Sequence, residues 1–266
     1  KIDFDELRKI ALKTKPRLIL CGYTSYPKDY EYEQFKTVAD EIGAATMADV
    51  SHIGGLIAGG AMKNPFDYGF DVVTTTTHKS LRGPRGGIIM CKKEFAKAID
   101  KSVFPGLQGG PHMNVIAAIA FTLMKAMTNE YKTYCQQVLI NAKALADNLK
   151  KQGVSLVGGG TENHLMVVNT IESFDVDGKV AEQTLDKISL TTNKQFIPDD
   201  PNPPLRPSGI RIGTPAITTR GMMENEMEMI ASWMVSALRN HTDETALASL
   251  NKEVQGVCET FPVPGI

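Results

Sequence analysis

The stretch Asp71-Val-Val-Thr-Thr-Thr-Thr77 limits what this chain can fold into more than any other. Consecutive β-branched residues hold few rotamers and fit a pleated surface, so the run reads as a buried strand. Arg17-Leu-Ile-Leu-Cys21, Ala44-Ala-Thr-Met-Ala-Asp-Val50 and Gly86-Gly-Ile-Ile-Met-Cys91 are short apolar runs of the same kind. Segments of helical period lie between the first of them. Asp3 or Asp5 can cap a helix carrying Leu7, Ile10 and Leu12, which must stop before Pro16. Tyr30 to Ile42 repeats apolar residues at Phe35, Val38, Ala39 and Ile42 and ends at Gly43, a favourable C-terminal residue. Strands alternating with helices predict an α/β sheet containing parallel pairs and covered on both faces.

From about Pro111 the pattern changes. Helical spacing runs from His112 to Lys151, with a break near Thr128-Asn129. An apolar strand (His164 to Asn169), a helix around Val180 to Ile188 and a proline-rich loop (Pro198 to Pro207) follow. A short strand at Ile210-Arg-Ile212 and a helical remainder complete the chain. We expect two domains, residues 1–128 belonging to a large α/β domain and 129–266 forming a smaller α+β domain. With 29 Lys and Arg against 30 Asp and Glu, the net charge of -1 argues against nucleic acid or an anionic membrane as partner. The longest apolar stretch, Val115 to Met124, is too short to span a bilayer. Cys21, Cys91, Cys135 and Cys258 show no CxxC pair, and the histidines are scattered singly, so no metal site is expected. Buried thiols in a reducing compartment, and hence a cytoplasmic protein, are the expectation.

The chemistry is expected around Thr74-Thr-Thr-Thr-His78-Lys79-Ser80, followed by Leu81-Arg-Gly-Pro-Arg-Gly-Gly87. A lone loop lysine is ordinarily a solvated turn residue. This one stands just past a strand end, where open α/β sheets keep their ligands. Threonine hydroxyls precede it, and Gly83, Gly86 and Gly87 permit close backbone approach. No GxxxxGK[ST] motif is present, so the segment is not a P-loop. A Schiff-base lysine needs a depressed pKa, which cationic charge from His78, Arg82 or Arg85 would help supply. Asp49, at the end of another strand, either caps the following turn or pairs with a protonated pyridine nitrogen. His52 either fills a structural role or stacks on or hydrogen-bonds to a planar ring.

Five segments together resemble serine hydroxymethyltransferase. They are Ala48-Asp-Val-Ser-His-Ile-Gly-Gly-Leu-Ile-Ala58, Val72-Val-Thr-Thr-Thr-Thr-His-Lys79, Val103-Phe-Pro-Gly-Leu-Gln-Gly-Gly-Pro111, Gly159-Gly-Thr-Glu-Asn-His164 and Ser208-Gly-Ile-Arg-Ile-Gly-Thr-Pro-Ala216. The resemblance follows the family's order and covers essentially the whole chain. It implies part of an aminotransferase-like (fold type I) large domain followed by a small C-terminal α+β domain. It further implies that Lys79 carries pyridoxal 5'-phosphate covalently and that Asp49 holds the pyridine nitrogen. His52 and Ser25 would lie near the ring's phenolic oxygen, and Thr76 and His78 would support the lysine. Gly109 and Gly110 would present N–H groups to the cofactor phosphate of a neighbouring subunit. Arg211 would bind the substrate carboxylate, and Pro203, Pro204 and Leu205 resemble the part touching tetrahydrofolate. The implied partners are serine, glycine and tetrahydrofolate, in a homodimer or tetramer with shared active sites.

Departures from the family are modest. Leu107 stands where Gly is frequent, Gln195 where Asn is common, and Ser80 where Thr often follows the lysine. Lys1 opens the chain without Met and reads as mid-domain. The family's N-terminal part, with its proton-transfer glutamate, is therefore expected to be lacking, and this piece alone to be an incomplete, inactive fragment. Two other readings are a threonine aldolase-like pyridoxal-phosphate enzyme and a non-catalytic fragment. The segment Val103 to Pro111 and the loop around Pro203 argue against the first.

Overall fold

The computed structural model of the chain describes residues 1–265. They fold as two compact units. The first comprises Lys1–Thr24 and Asp29–Cys135; the second comprises Ser25–Lys28 and the chain from Gln136 onward.

The first unit begins with α1 (Phe4–Thr14), whose N-cap Asp3 accepts a hydrogen bond from Glu6 N at 2.9 Å, as the sequence suggests. β1 (Leu18–Cys21), α2 (Tyr32–Ile42), β2 (Ala45–Asp49), α3 (Gly54–Ala58), β3 (Val72–Thr76), β4 (Gly87–Cys91) and α4 (Lys93–Lys101) follow. The sheet order is β1-β2-β3-β4. β1 to β3 are parallel, whereas β4 pairs antiparallel with β3. The link between β3 and β4 holds no crossover helix, so the chain can only turn back on itself. Aromatic rings pack around α2: Phe4 meets Phe35 edge-on at 5.1 Å, and Tyr32 meets Phe70 edge-on at 5.3 Å.

Burial along β1 to β3 has a period of two. Ile19, Cys21, Thr46, Ala48, Val73 and Thr75 are buried on one face. On the other, Leu18 remains 45% and Leu20 50% exposed, with Ile89 of β4 at 47%. The sheet expected to be covered on both faces is covered on one by the described residues. α5 (Met113–Ala126) is similar: Met113, Ile116, Phe121, Leu123 and Met124 are all exposed. The expected break in the long helical stretch falls between α5 and α6 (Asn129–Lys151).

Asp71 sets the start of β3. It accepts hydrogen bonds from Thr46 N at 2.7 Å and Thr46 Oγ1 at 2.9 Å, and pairs with Lys92 Nζ at 2.6 Å. Burial pushes its carboxyl up, but the bonds from Lys92 and Thr46 outweigh this and hold it below the usual carboxylate range.

In the second unit, α6 passes into β5 (Leu165–Asn169), α7 (Thr170–Phe174), α8 (Gly178–Lys187), β6 (Asn193–Gln195), β7 (Gly209–Gly213), α9 (Pro215–Thr219), α10 (Glu224–Arg239) and α11 (Glu244–Thr260). The strands form an antiparallel sheet of order β5-β7-β6. β6 has no apolar alternation in sequence and is held by its pairing with β7. One core unites Leu145 and Leu149 of α6, Met166 and Ile210 of the sheet, and Leu185, Met227, Leu238 and Leu247 of the helices over it. Asn141 lies buried in this unit, with its amide donating to Thr218 Oγ1 and Met222 O, both at 2.9 Å.

Replacing Asp71 with Ala leaves the buried Thr46 donors without their acceptor. The expected loss is about 1–3 kcal/mol in urea unfolding. Because the folded carboxyl is held low, its contribution is complete above the unfolded carboxylate range and fades as pH falls through the depressed value. The gap between wild type and variant should therefore narrow in acid.

Candidate active site

The carboxyl ends of β2 and β3 lie side by side, with Asp49 opposite Thr74 in register. Val50 N donates to Thr74 O at 2.8 Å, continuing the pairing past the end of β2. The turn after Asp49 tightens when Ser51 N donates to Asp49 Oδ1 at 3.0 Å. Thr76 Oγ1 donates to Ser51 O at 3.3 Å, so this turn and the approach to Lys79 hold each other. Asp49, His52, Thr76, His78 and Lys79 thus gather on neighbouring loops at one end of the sheet. Lys79 and Asp49 are exposed, and His52, Thr76 and His78 are half-buried.

The lysine loop is closed from both sides. Thr77 N donates to Gly86 O at 3.0 Å, Gly83 N to Thr77 O at 2.7 Å, and Thr77 Oγ1 to Pro84 O at 2.6 Å. His78 Nδ1 receives only a long 3.5 Å contact from Gly86 N. Arg82, in a left-handed conformation (φ 64), donates its N–H to Lys79 O at 2.9 Å. Its guanidinium carbon stacks 4.5 Å over the Tyr134 ring.

Ser80 fastens this loop to the rest of the unit, a role that reading the sequence missed. It is 6% exposed, and its Oγ accepts from Gly55 N at 3.0 Å. Its carbonyl accepts from Tyr131 Oη at 3.0 Å, and Cys135 Sγ contacts Gly55 O at 3.4 Å. A Cβ at Gly55 would stand 2.3 Å from the Ser80 carbonyl, and one at Gly59 2.4 Å from Cys135 Sγ. Glycines one helical turn apart, Gly55 in α3 and Gly59 at its C-cap, therefore admit the lysine loop on one side and α6 on the other. The spacing of four that Gly55 and Gly59 share with Tyr131 and Cys135 is the signal that could have found it.

Gly109 and Gly110 are not drawn into this group. Both are exposed, and a Cβ at either would meet nothing within 4 Å.

The remaining expected residues belong to the second unit. Ser25 Oγ donates to Gln195 Oε1 at 2.7 Å, which joins the Ser25–Lys28 segment to β6. Arg211 occupies the central strand, opposite Val167 on one side and Asn193 on the other. Burial lowers its guanidinium pKa from the ordinary arginine value, as expected for a partly desolvated cation. A carboxylate brought to it would offset that desolvation. Pro203, Pro204 and Leu205 form the exposed tip of the loop between β6 and β7, with Leu205 76% exposed.

The donor set at the sheet end fits pyridoxal phosphate at its carbonyl and ring-nitrogen ends. An exposed amine and an exposed carboxylate stand on adjacent strand ends, with a half-buried imidazole between them in sequence.

Substituting Gly55 with Ala forces a methyl into the Ser80 carbonyl, and the expected cost is about 1–3 kcal/mol. Hydrogen exchange should quicken at Arg82 and Gly83, whose amides donate to Lys79 O and Thr77 O, while amides of the second unit keep their protection. Tyr131→Phe, which deletes only one hydrogen bond to this loop, should show a smaller change at the same amides.

Comparison with known proteins adds two findings. The family profile for serine hydroxymethyltransferase matches residues 1–234. A curated serine hydroxymethyltransferase from Desulfotalea psychrophila is 48% identical over 265 residues, covering 100% of this chain. The chain spans 62% of the length of that relative.

Proposed function

The chain belongs to the serine hydroxymethyltransferase family, and from that premise we propose that it forms part of an enzyme transferring the hydroxymethyl group of L-serine to tetrahydrofolate. The products are glycine and 5,10-methylenetetrahydrofolate. The α/β unit is a portion of the family's aminotransferase-like, fold type I large domain. One observation carries the functional reading: Lys79 stands on a clamped loop past the carboxyl end of β3, and Asp49 ends the neighbouring parallel strand β2.

Each residue then has a definite task. Lys79 would hold pyridoxal phosphate through its amine, and Asp49 would accept the hydrogen bond of the pyridine N–H, keeping that nitrogen protonated. Once bound, the cofactor supplies a conjugated ring able to accept the electron pair of a bond breaking at the substrate's Cα. Thr76 and His78 orient the lysine segment, and His52 and Ser25 serve the phenolic side of the ring. Arg211 would bind the substrate carboxylate through both oxygens and so orient the substrate. Such orientation matters, since a misplacement of ~1 Å can cost ~10²-fold in rate. Pro203, Pro204 and Leu205 meet tetrahydrofolate.

The assembly is a homodimer or a dimer of dimers with shared sites. Gly109 and Gly110 present their N–H groups to the partner's cofactor phosphate, which suits two exposed glycines with nothing packed on them. The apolar exposed faces of α5 and of the sheet support burial against further protein. Among the described residues no helix is long and apolar enough to cross a membrane. Four unpaired thiols suit a reducing, cytoplasmic setting.

Added pyridoxal phosphate should give the wild-type chain a visible imine absorbance band that Lys79→Ala lacks. A band surviving unchanged in the variant would remove Lys79 from its role. Arg211→Ala should weaken serine binding at least about tenfold, the worth of one charge-assisted hydrogen bond. Its cofactor content should hardly change, and equal loss of both would mark Arg211 as structural.

A further inference from the structure

The loop between β6 and β7 is apolar at its tip yet tightly bonded at its base. Arg206 N donates to Pro203 O at 2.9 Å, closing a β-turn with Pro204 and Leu205 at its two central positions. Leu205 is 76% exposed there. An unburied leucine on a mobile loop would simply be solvated surface, but this loop is held by an internal carboxylate.

Asp200 accepts four hydrogen bonds. Oδ1 takes Asn202 N at 2.9 Å and Ser208 Oγ at 2.7 Å. Oδ2 takes Ser208 N at 2.8 Å and Ile197 N at 3.2 Å. The two ends of the loop, Ile197 and Ser208, are thus tied to one side chain. Asn202 Nδ2 donates to Ser208 Oγ at 2.9 Å and completes the ring of contacts. Burial pushes this carboxyl up, but the bonds from Ser208, Asn202 and Ile197 outweigh it and leave it below the usual range.

Beyond Ser208 the chain is pinned again. Thr170 N and Oγ1 both donate to Ser208 O, at 2.9 and 3.0 Å. Gly178 N donates to Pro207 O at 2.6 Å, and a Cβ on Gly178 would stand 2.1 Å from Gly209 O. Arg206 pairs with Asp177, which also caps α8 by accepting from Val180 N at 2.9 Å. The turn from Pro203 to Leu205 is held by the Arg206 N–Pro203 O bond alone and faces solvent, as do Pro198, Asp199 and Pro201.

We infer that Asp200 is a positioning residue whose carboxylate, latched to Ser208, presents the Pro203–Leu205 turn in one fixed geometry to an apolar ring surface of the ligand. This rests on the reading above that the ligand is tetrahydrofolate. Fixing the turn in advance removes the ordering cost that binding would otherwise meet. The carboxylate is needed because both oxygens are used twice over. An asparagine of the same size keeps one acceptor and puts an N–H₂ where Ile197 N and Ser208 N point, or where Asn202 N does.

The experiment compares the wild-type chain with Asp200→Asn by site-resolved hydrogen exchange, thermal unfolding and tetrahydrofolate titration, with glycine and pyridoxal phosphate binding measured beside them. Exchange at Ile197, Asn202 and Ser208 should rise about tenfold, as expected for loss of one hydrogen bond to a charged group. The unfolding midpoint should fall by only about 2–4 °C, as expected for a loss of that size confined to one loop. Tetrahydrofolate binding should weaken several-fold with glycine and pyridoxal phosphate binding unchanged, a selectivity that a merely structural role would not give. Unchanged exchange overturns the latch, and faster exchange with unaltered tetrahydrofolate binding overturns the positioning role. A wild-type chain that fails to bind tetrahydrofolate overturns the ligand assignment itself, and the exchange comparison tells that failure apart from failure of the latch. Should Asp200→Asn not fold, Ser208→Ala removes only the Oγ contacts and is read by the same criteria.

Discussion

Gly55 approaches the backbone of Ser80 so closely that no larger residue fits, and the placement of Lys79 depends on that contact. A lysine on an open loop would sample many positions. Here Ser80 is bonded through its side chain to α3 and through its carbonyl to α6, and its neighbours Thr77, Gly83 and Gly86 close the loop on themselves. The amine remains exposed while its own main chain is fixed. That combination of a rigid support and an accessible reactive group is what a covalent cofactor site requires.

Carboxylates do comparable work elsewhere in the chain, and most of them act on the backbone. Asp71 ties the start of β3 to Thr46, Asp177 caps α8, Asp200 joins the two ends of a proline-rich loop, and Asp243 caps α11 by accepting from Thr245 and Ala246 N at 3.0 Å. For Asp71, Asp177 and Asp200, hydrogen bonding to the ionised form outweighs desolvation, so each stays charged and acts as an acceptor only. Asp49 differs in consequence: one of its oxygens tightens its own turn, yet the side chain is exposed at the strand end and available to a ligand.

The two apolar surfaces left open by the first unit belong to the same physical picture. Parallel strands read as continuous apolar runs because such sheets are normally buried on both faces. The sequence of β1 obeys that rule with Leu18 and Leu20, although the described residues cover only the side of Ile19 and Cys21. α5 likewise has apolar residues around most of its circumference, too many for a helix with one buried stripe. Burial against a further protein chain, as proposed above, would give such surfaces a use.

Much of this was legible from residue order. Asp3, Pro16 and Gly43 bounded the first helices, short apolar runs marked β1 and β2, a β-branched run marked β3, and the segments around Asp49, Lys79 and Arg211 carried the family resemblance. These features are legible because capping, turn chemistry and side-chain period act over a few neighbouring residues. What tertiary structure alone decided depends on which partners packing brings together, whether near or far along the chain. β4 runs antiparallel because its link to β3 holds no crossover, and β6 exists only because β7 offers it hydrogen bonds. Ser80 became an anchor because packing brought Gly55 and Tyr131 to it, and Asp200 a latch because the loop folds back onto its carboxylate. Hydrogen-bond partners and close approaches are properties of the packed chain, and no local pattern encodes them.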